Sequence, residues 1–170
     1  MAATLTTNMT ARLTWNFKEA LDLSNVIDSS YVEYNVDMAT GTGASTADKV
    51  WHDSRTLTTG TADNLDVNAL TNSIYGNTVT SIFVKLRALI IVNTATTSGY
   101  DLTVGNGTNP WIGPFGSGAH TIAVPANGVL LLTNPVAGWT ITNATGDVLK
   151  INNGSAGSIT YKIALIGTSA

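Results

Sequence analysis

The sequence predicts an all-β protein, a jelly-roll-like antiparallel β-sandwich of about 8–9 strands. Three observations predict it. Apolar residues recur with a period of two, the spacing that lines one face of a strand. After Gly99, segments of this kind return about every ten residues, each bounded by Gly, Pro or Asn. No long segment carries the 3.6-residue period of a helix, and no exact internal repeat suggests a propeller or solenoid.

Along the chain, "TARLTWNF" (10–17) alternates, with Ala11, Leu13, Trp15 and Phe17 on one face. Residues 1–17 are expected to form an N-terminal arm or first strand, and residues 18–170 a single β-sandwich domain. The start, "MAATLTTNMT", is polar and uncharged, as suits an arm that orders on a neighbour or equally a terminus that frays. "KEALDLSNVIDSS" (18–30) is mixed and has room for one helical turn. "YVEYNVDM" (31–38) and "KVWHDSRTLT" (49–58) read as strands, with "ATGTGASTA" (39–47) as the turn between them. Asp63 to Leu70 fits a short strand and a turn.

"SIFVKLRALIIVNTA" (81–95) has the strongest strand pattern. It sets Lys85 and Arg87 on one side and Val84, Leu86, Ala88 and Ile90 on the other. "ALIIVN" is apolar on both sides, so it is expected in a buried centre or an interface. Beyond it lie "YDLTVGN", "AHTIAVP", "GVLLLTN", "GWTIT", "DVLKINN" and "SITYKIALIG", six further strand candidates. A sandwich with this many short strands must deal with its edges, and two Greek keys in two sheets do so.

Composition narrows the function. The chain has no cysteine, which removes disulfides, thiolate metal sites and thiol nucleophiles. Charged residues make up 11% of the chain, against about 25% in an ordinary domain. The formal charge is −3 and the 8 basic residues are scattered, so no basic face for nucleic acid is expected. No apolar run approaches the length that spans a bilayer, and the N-terminal residues have no secretion-signal pattern, so neither a membrane nor export is expected. A weakly charged surface rich in hydroxyls and amides suits packing against other proteins. It also suits sugar binding.

Residues with reactive side chains form no expected site. His52 and His120 stand far apart without a metal-ligand pattern. His52 and Asp53, adjacent on a strand, should point to opposite faces, and no nucleophile-elbow motif occurs. Asp63 and Asp66, with Asn64 and Asn68, offer oxygens for a cation, but such clusters also make local turns. "GTGAST" and "GNGTNP" lack the lysine and helix of a phosphate loop. The expectation is therefore no enzyme, no metal and no cofactor.

The stretch "GNGTNPWIGPFGSGAH" (105–120) stands apart. Five glycines and two prolines break it, yet it carries Trp111, Ile112 and Phe115. These side chains cap one end of the sandwich, or anchor a protein partner, or offer a ring to a sugar. A proline-stiffened loop loses little entropy on docking, and interfaces favour aromatic anchors. The expected partner interface is accordingly Trp111, Ile112, Phe115 and Trp139.

Residues 100–170 also carry a resemblance. "YDLTVGNGTNPWIGPFGSG", "HTIAVPANGVLLLTNPVAGWTIT", "DVLKINN" and "ITYKIALIG" resemble small virion proteins of tailed bacteriophages. Size, strand pattern and low charge are most similar to capsid decoration, or cement, proteins. The resemblance implies a structural protein without catalysis. It would be made in the host cytoplasm, sit on the capsid surface of the virion, bind the major capsid protein and stabilise the shell. It also implies a homo-oligomer, with a trimer favoured over a dimer. A phage tail or receptor-binding lectin-like module recognising a glycan is the alternative.

Overall fold

The computed structural model describes residues 4–74 and 77–170. The first three residues of the expected arm lie outside them. Among the described residues there is no helix, and the fourteen strands account for the fold. In chain order they are β1 (Thr7–Ala20), β2 (Asn25–Thr40), β3 (Thr46–Ala47), β4 (Lys49–Leu57), β5 (Ala62–Asp66), β6 (Leu70–Ile74) and β7 (Asn77–Ser81). Then follow β8 (Lys85–Asn93), β9 (Leu102–Gly105), β10 (Thr121–Val124), β11 (Val129–Thr133), β12 (Trp139–Thr140), β13 (Val148–Asn153) and β14 (Ile159–Thr168).

The body is two antiparallel sheets, ordered β10-β9-β13-β5 and β11-β8-β14-β4, with β12 added beside β8. β4 pairs with β14, β5 with β13, β8 with β11 and β9 with β10. First pairs with last, second with second-last, and so inward: this nesting is a long hairpin rolled into two sheets, a jelly roll. All six strand candidates after Gly99 are strands here. β6 and β7 form a separate hairpin.

Alternation builds the core. On β14, Ile159, Tyr161, Ile163 and Leu165 point inward, and on β13 Leu149 and Ile151 do. They meet Leu89 and Ile91 of β8 and Leu102 and Val104 of β9 in one cluster. Buried asparagines close the strand ends. Asn153 Nδ2 donates to the carbonyls of Leu57 (3.0 Å) and Gly157 (2.8 Å), while its Oδ1 accepts from Ser155. Asn93 Nδ2 donates to the carbonyls of Tyr100 and Val124. One amide side chain thus satisfies several buried backbone groups that a ladder does not reach.

The edge between β4 and β5 is latched by charge. Arg55 Nε donates to Asp63 Oδ2 at 2.8 Å, and the buried Tyr161 hydroxyl donates to the same oxygen at 2.6 Å. Burial first, and that hydrogen bond second, hold the Tyr161 phenol well above its usual pKa.

Two details differ from the sequence reading. The strand over 81–95 begins only at Lys85, and its alternation breaks at Arg87. Ile166 faces Ala88 but Gly167 faces Leu86, so Arg87 is an extra, bulged residue. Leu86 and Arg87 are therefore both buried, and Ala88 and Ile90 turn to the outer face. Gly167 makes this possible, because a Cβ there would collide with the Lys85 carbonyl oxygen. The second difference lies at 18–30, where no helical turn forms. β1 runs on to Ala20, residues 21–24 turn, and β2 starts at Asn25. Continuing a paired ladder adds a bond per residue, whereas a lone helical turn pays its nucleation cost without propagating.

β1 and β2 together form a hairpin in unbroken register from Thr7↔Met38 to Ala20↔Asn25. The arm is therefore residues 7–40 and extends well past residue 17. Its base is held by the buried Thr7 and Met38 and by β3, which pairs in parallel with Ala39 and Thr40.

Candidate interaction surface

The four residues expected to form a partner interface do not share one exposed surface. Trp111 is 2% exposed and Phe115 is also buried, and both belong to the core cluster. The Trp111 ring meets Phe115 and Trp139 edge to face, with centroids 6.1 and 5.9 Å apart. Trp139 is half-buried against the same cluster, and Ile112 alone of the four is well exposed, at 51%. The physical reason lies in the loop's closure. Trp111 N–H donates to the Val148 carbonyl at 2.9 Å, and His120 Nδ1 lies 2.8 Å from the Phe115 carbonyl oxygen. Gly113 leaves room for the indole, since a Cβ there would come within 2.7 Å of it. The kinked segment folds its rings inward and caps the sandwich.

The uncovered apolar surface is on the arm. In an antiparallel pair, directly opposed residues share a face. One face carries the pairs Met9/Val36, Ala11/Tyr34, Leu13/Val32, Trp15/Ser30 and Phe17/Asp28. The other carries Asn8/Asp37, Thr10/Asn35, Arg12/Glu33, Thr14/Tyr31 and Asn16/Ser29. The polar face partners itself. Asn8 Nδ2 donates to Asn35 and Asp37 at 2.8 and 2.7 Å. Arg12 pairs with Glu33 at 3.6 Å and lies 4.4 Å over the Tyr31 ring.

The apolar face starts inside the body and leaves it. Thr7 is buried, and Met9 and Ala11 are half-buried, but from Leu13 outward the same alternation continues with none of the described residues over it. Leu13 is 69% exposed, Val32 64% and Phe17 58%, and at the tip Leu23 is 100% exposed. From Leu13 to the tip this stripe is ~30 Å long and ~10 Å wide, on the order of 300 Å² on one two-stranded ribbon. Covering it is worth roughly 7 kcal/mol per face before association costs. A two-stranded ribbon alone is marginal in water, so the arm needs that cover.

The stripe meets a groove at its root. A cavity of about 230 Å³ lies between Asn8, Met9, Thr10 and Met38 of the arm and, on the body, an apolar patch that includes Ile90, Leu131, Ala164 and Ile166. Leu131, Ile90 and Ala164 are register neighbours across β11, β8 and β14, on the sheet's outer face. The apolar surface therefore runs from tip to root and onto the body.

Arg87 ties the arm's return loop to the body. Its guanidinium, 1% exposed, donates to the carbonyls of Val136 (2.6 Å) and Gly43 (2.7 Å). Gly43 lies in the loop by which the arm returns to the body. Among the described residues no carboxylate pairs with Arg87, and burial pushes its pKa down.

The remaining polar candidates have local partners or stand apart. His52 is exposed on the outer face of β4, while Asp53 turns to the inner face and binds Arg55 at 3.0 Å. Asp63 belongs to the edge latch, and Asp66 Oδ1 accepts the Asn68 N–H at 2.9 Å in a local turn. Among the described residues no group of three or more His, Asp or Glu gathers as a metal site.

Sequence reasoning found β1's apolar face and missed its partner. The missing signal was a second alternating run, Val26, Val32, Tyr34, Val36 and Met38, mirrored across "LDLS". No protein-family model matches the chain, and neither the curated proteins nor the solved structures give a match.

Proposed function

We propose that this chain is a structural assembly protein that works by contact: a capsid decoration protein. As a homo-oligomer it binds the outside of a major capsid shell on the virion and stabilises it. One observation carries the reading, the amphipathic arm whose apolar face has no cover. The body is a jelly roll that satisfies its own core, while the arm projects a surface that water does not favour. Such a chain is incomplete alone and completed by other proteins. The weakly charged body leaves further area for neighbours, with Ile112 the exposed member of the expected anchor set.

The mechanism is linkage. A protein that binds only the assembled shell stabilises it by RT ln(1 + [L]/Kd), about 2.7 kcal/mol per site at a hundredfold excess over Kd. Many copies multiply a modest contact. The alternative, a lectin-like module, loses support because the Trp111 ring is covered by Phe115 and Trp139 and has no open face for a sugar.

The test is co-sedimentation with shells of the major capsid protein from the same genome. Saturable binding, with shells that withstand higher temperature, is expected. A folded chain that leaves sedimentation and shell melting unchanged overturns the reading.

A further inference from the structure

We infer that Asn106 is a self-modifying site, at which the folded chain converts an asparagine to isoaspartate or aspartate without an enzyme. The inference goes beyond the assembly reading and does not depend on it.

The sequence holds three Asn–Gly pairs, beginning at Asn106, Asn127 and Asn153. The pairs matter because glycine has no Cβ to shield its backbone nitrogen or to restrict the peptide before it. In the reaction the Gly107 amide gives its proton to solvent, and its nitrogen attacks Asn106 Cγ. The bond from Cγ to the carboxamide nitrogen breaks, ammonia leaves, and a five-membered succinimide remains. Water then opens the ring. Addition at the backbone carbonyl carbon gives isoaspartate, and addition at Cγ gives aspartate. Water is the only co-reactant. The step needs a carboxamide that can turn, a peptide that can rotate, and a glycine N–H that no acceptor holds.

The fold grants these freedoms to one pair of the three. Asn153 is fully buried, and its carboxamide cannot turn. Its Nδ2 donates to the carbonyls of Leu57, Thr58 and Gly157, and its Oδ1 accepts from the Ser155 N–H and hydroxyl. Its own carbonyl accepts the Gly60 N–H at 2.9 Å, so the peptide is held as well. Asn127 is exposed, with φ 58°, but its attacking group is tied. The Gly128 N–H donates to the Pro125 carbonyl at 2.8 Å, and the Gly128 carbonyl accepts from the Asn93 N–H at 3.0 Å. Asn106 matches Asn127 in exposure and backbone, with φ 56°. Among the described residues nothing hydrogen-bonds its carboxamide, its carbonyl or the Gly107 N–H.

The freedom is confined to a short span. Gly105 ends β9 opposite Thr121, so close to the His120 carbonyl oxygen that a Cβ would collide with it. The Asn109 carbonyl accepts from the N–H groups of Asp147 and Val148 at 3.2 and 3.1 Å. Residues 106–108 bridge these two anchors. The extra backbone carbon of isoaspartate is taken up in that bridge, and the cap over Trp111 stays closed. The product adds a negative charge next to Gly107, which lies against Val148 and Lys150. The charge at this end of the body therefore changes with the age of the chain.

The test incubates the folded full chain in mildly alkaline buffer and follows each Asn–Gly peptide by mass spectrometry after acidic digestion. Asn106 should deamidate about tenfold faster than Asn127, which waits on the loss of one hydrogen bond. It should exceed Asn153 by more than ~100-fold, since that pair waits on opening of the core. In denaturing urea the three should react within about threefold of one another, because the bonds that distinguish them are gone. The near-UV spectrum of the tryptophans should hold while the Asn106 product accumulates. Asn127 or Asn153 reacting as fast as Asn106 in the folded chain overturns the proposal. So does an Asn106 that persists in the folded chain yet reacts in urea, or one order of rates with and without urea.

Discussion

Trp111→Ala separates a core residue from an interface anchor. Truncating a buried tryptophan costs about 3–5 kcal/mol through lost transfer energy and the cavity left behind. The two edge-to-face contacts, with Phe115 and Trp139, add about 0.5–1.5 kcal/mol each where the partner rings do not repack. One term runs the other way. The indole Nε1–H is buried without an acceptor among the described residues, and removing such a group recovers about 1–3 kcal/mol. The net is a loss of about 4 kcal/mol. For a domain of this size that lowers Tm by roughly 8–16 °C. Urea unfolding followed by far-UV circular dichroism measures it. Trp111→Phe sharpens the test, since it keeps a ring and discards the unpaired N–H, and it should cost less than half as much. A Trp111→Ala protein within about 1 kcal/mol of wild type, yet unable to pair or to bind shells, would return this residue to the surface and refute the argument.

Three other outcomes are expected. Asn153→Ala removes one side chain that serves the Leu57 and Gly157 carbonyls and Ser155, and urea titration should show a loss of about 3 kcal/mol. Gly167→Ala drives a methyl into the Lys85 carbonyl and should cost about 3 kcal/mol, with a lowered urea midpoint as the readout. Stability should also fall in alkali. The folded chain keeps the Tyr161 proton that the unfolded chain releases near pH ~10, so this contribution is full below that pH. It declines above it by at most about 1.4 kcal/mol per pH unit. Urea midpoints between pH 9 and 11 should show the slope, and Tyr161→Phe should flatten it.

Period-two patterning and turn residues made the body readable. "DVLKINN" buries Leu149 and Ile151 as its alternation requires, and the even spacing of the last six strands carries the rolled topology. Two features were not readable. At Arg87 a one-residue bulge reverses the inside and outside of a strand, and it depends on Gly167, eighty residues away in sequence, having no side chain. In the 105–120 loop, composition marks the rings as special without fixing their direction. That direction is decided by the bond from Trp111 N–H to Val148 on a distant strand. The arm shows the opposite case. Its two alternating runs are local and visible, but a short mixed segment between them hides that they pair.

The body's buried charge gains a purpose beside the arm. A guanidinium with no carboxylate is an expensive group to bury, and an apolar side chain of similar volume would often be at least as stable. Arg87 does what an apolar residue cannot: it donates at once to the Gly43 loop at the arm's exit and to the Val136 loop beside it. The Ser45 N–H adds a bond from the first loop to the Pro135 carbonyl at 3.1 Å, and the Thr40 hydroxyl bonds Leu5 across the base of the hairpin. The root is thus fixed by polar bonds with direction, while the shaft beyond it has only cross-strand pairing. A contact surface on a rigid mount loses less freedom when it docks than one on a hinge. Under the proposed assembly role, the cost of burying Arg87 is set against an arm held ready to dock.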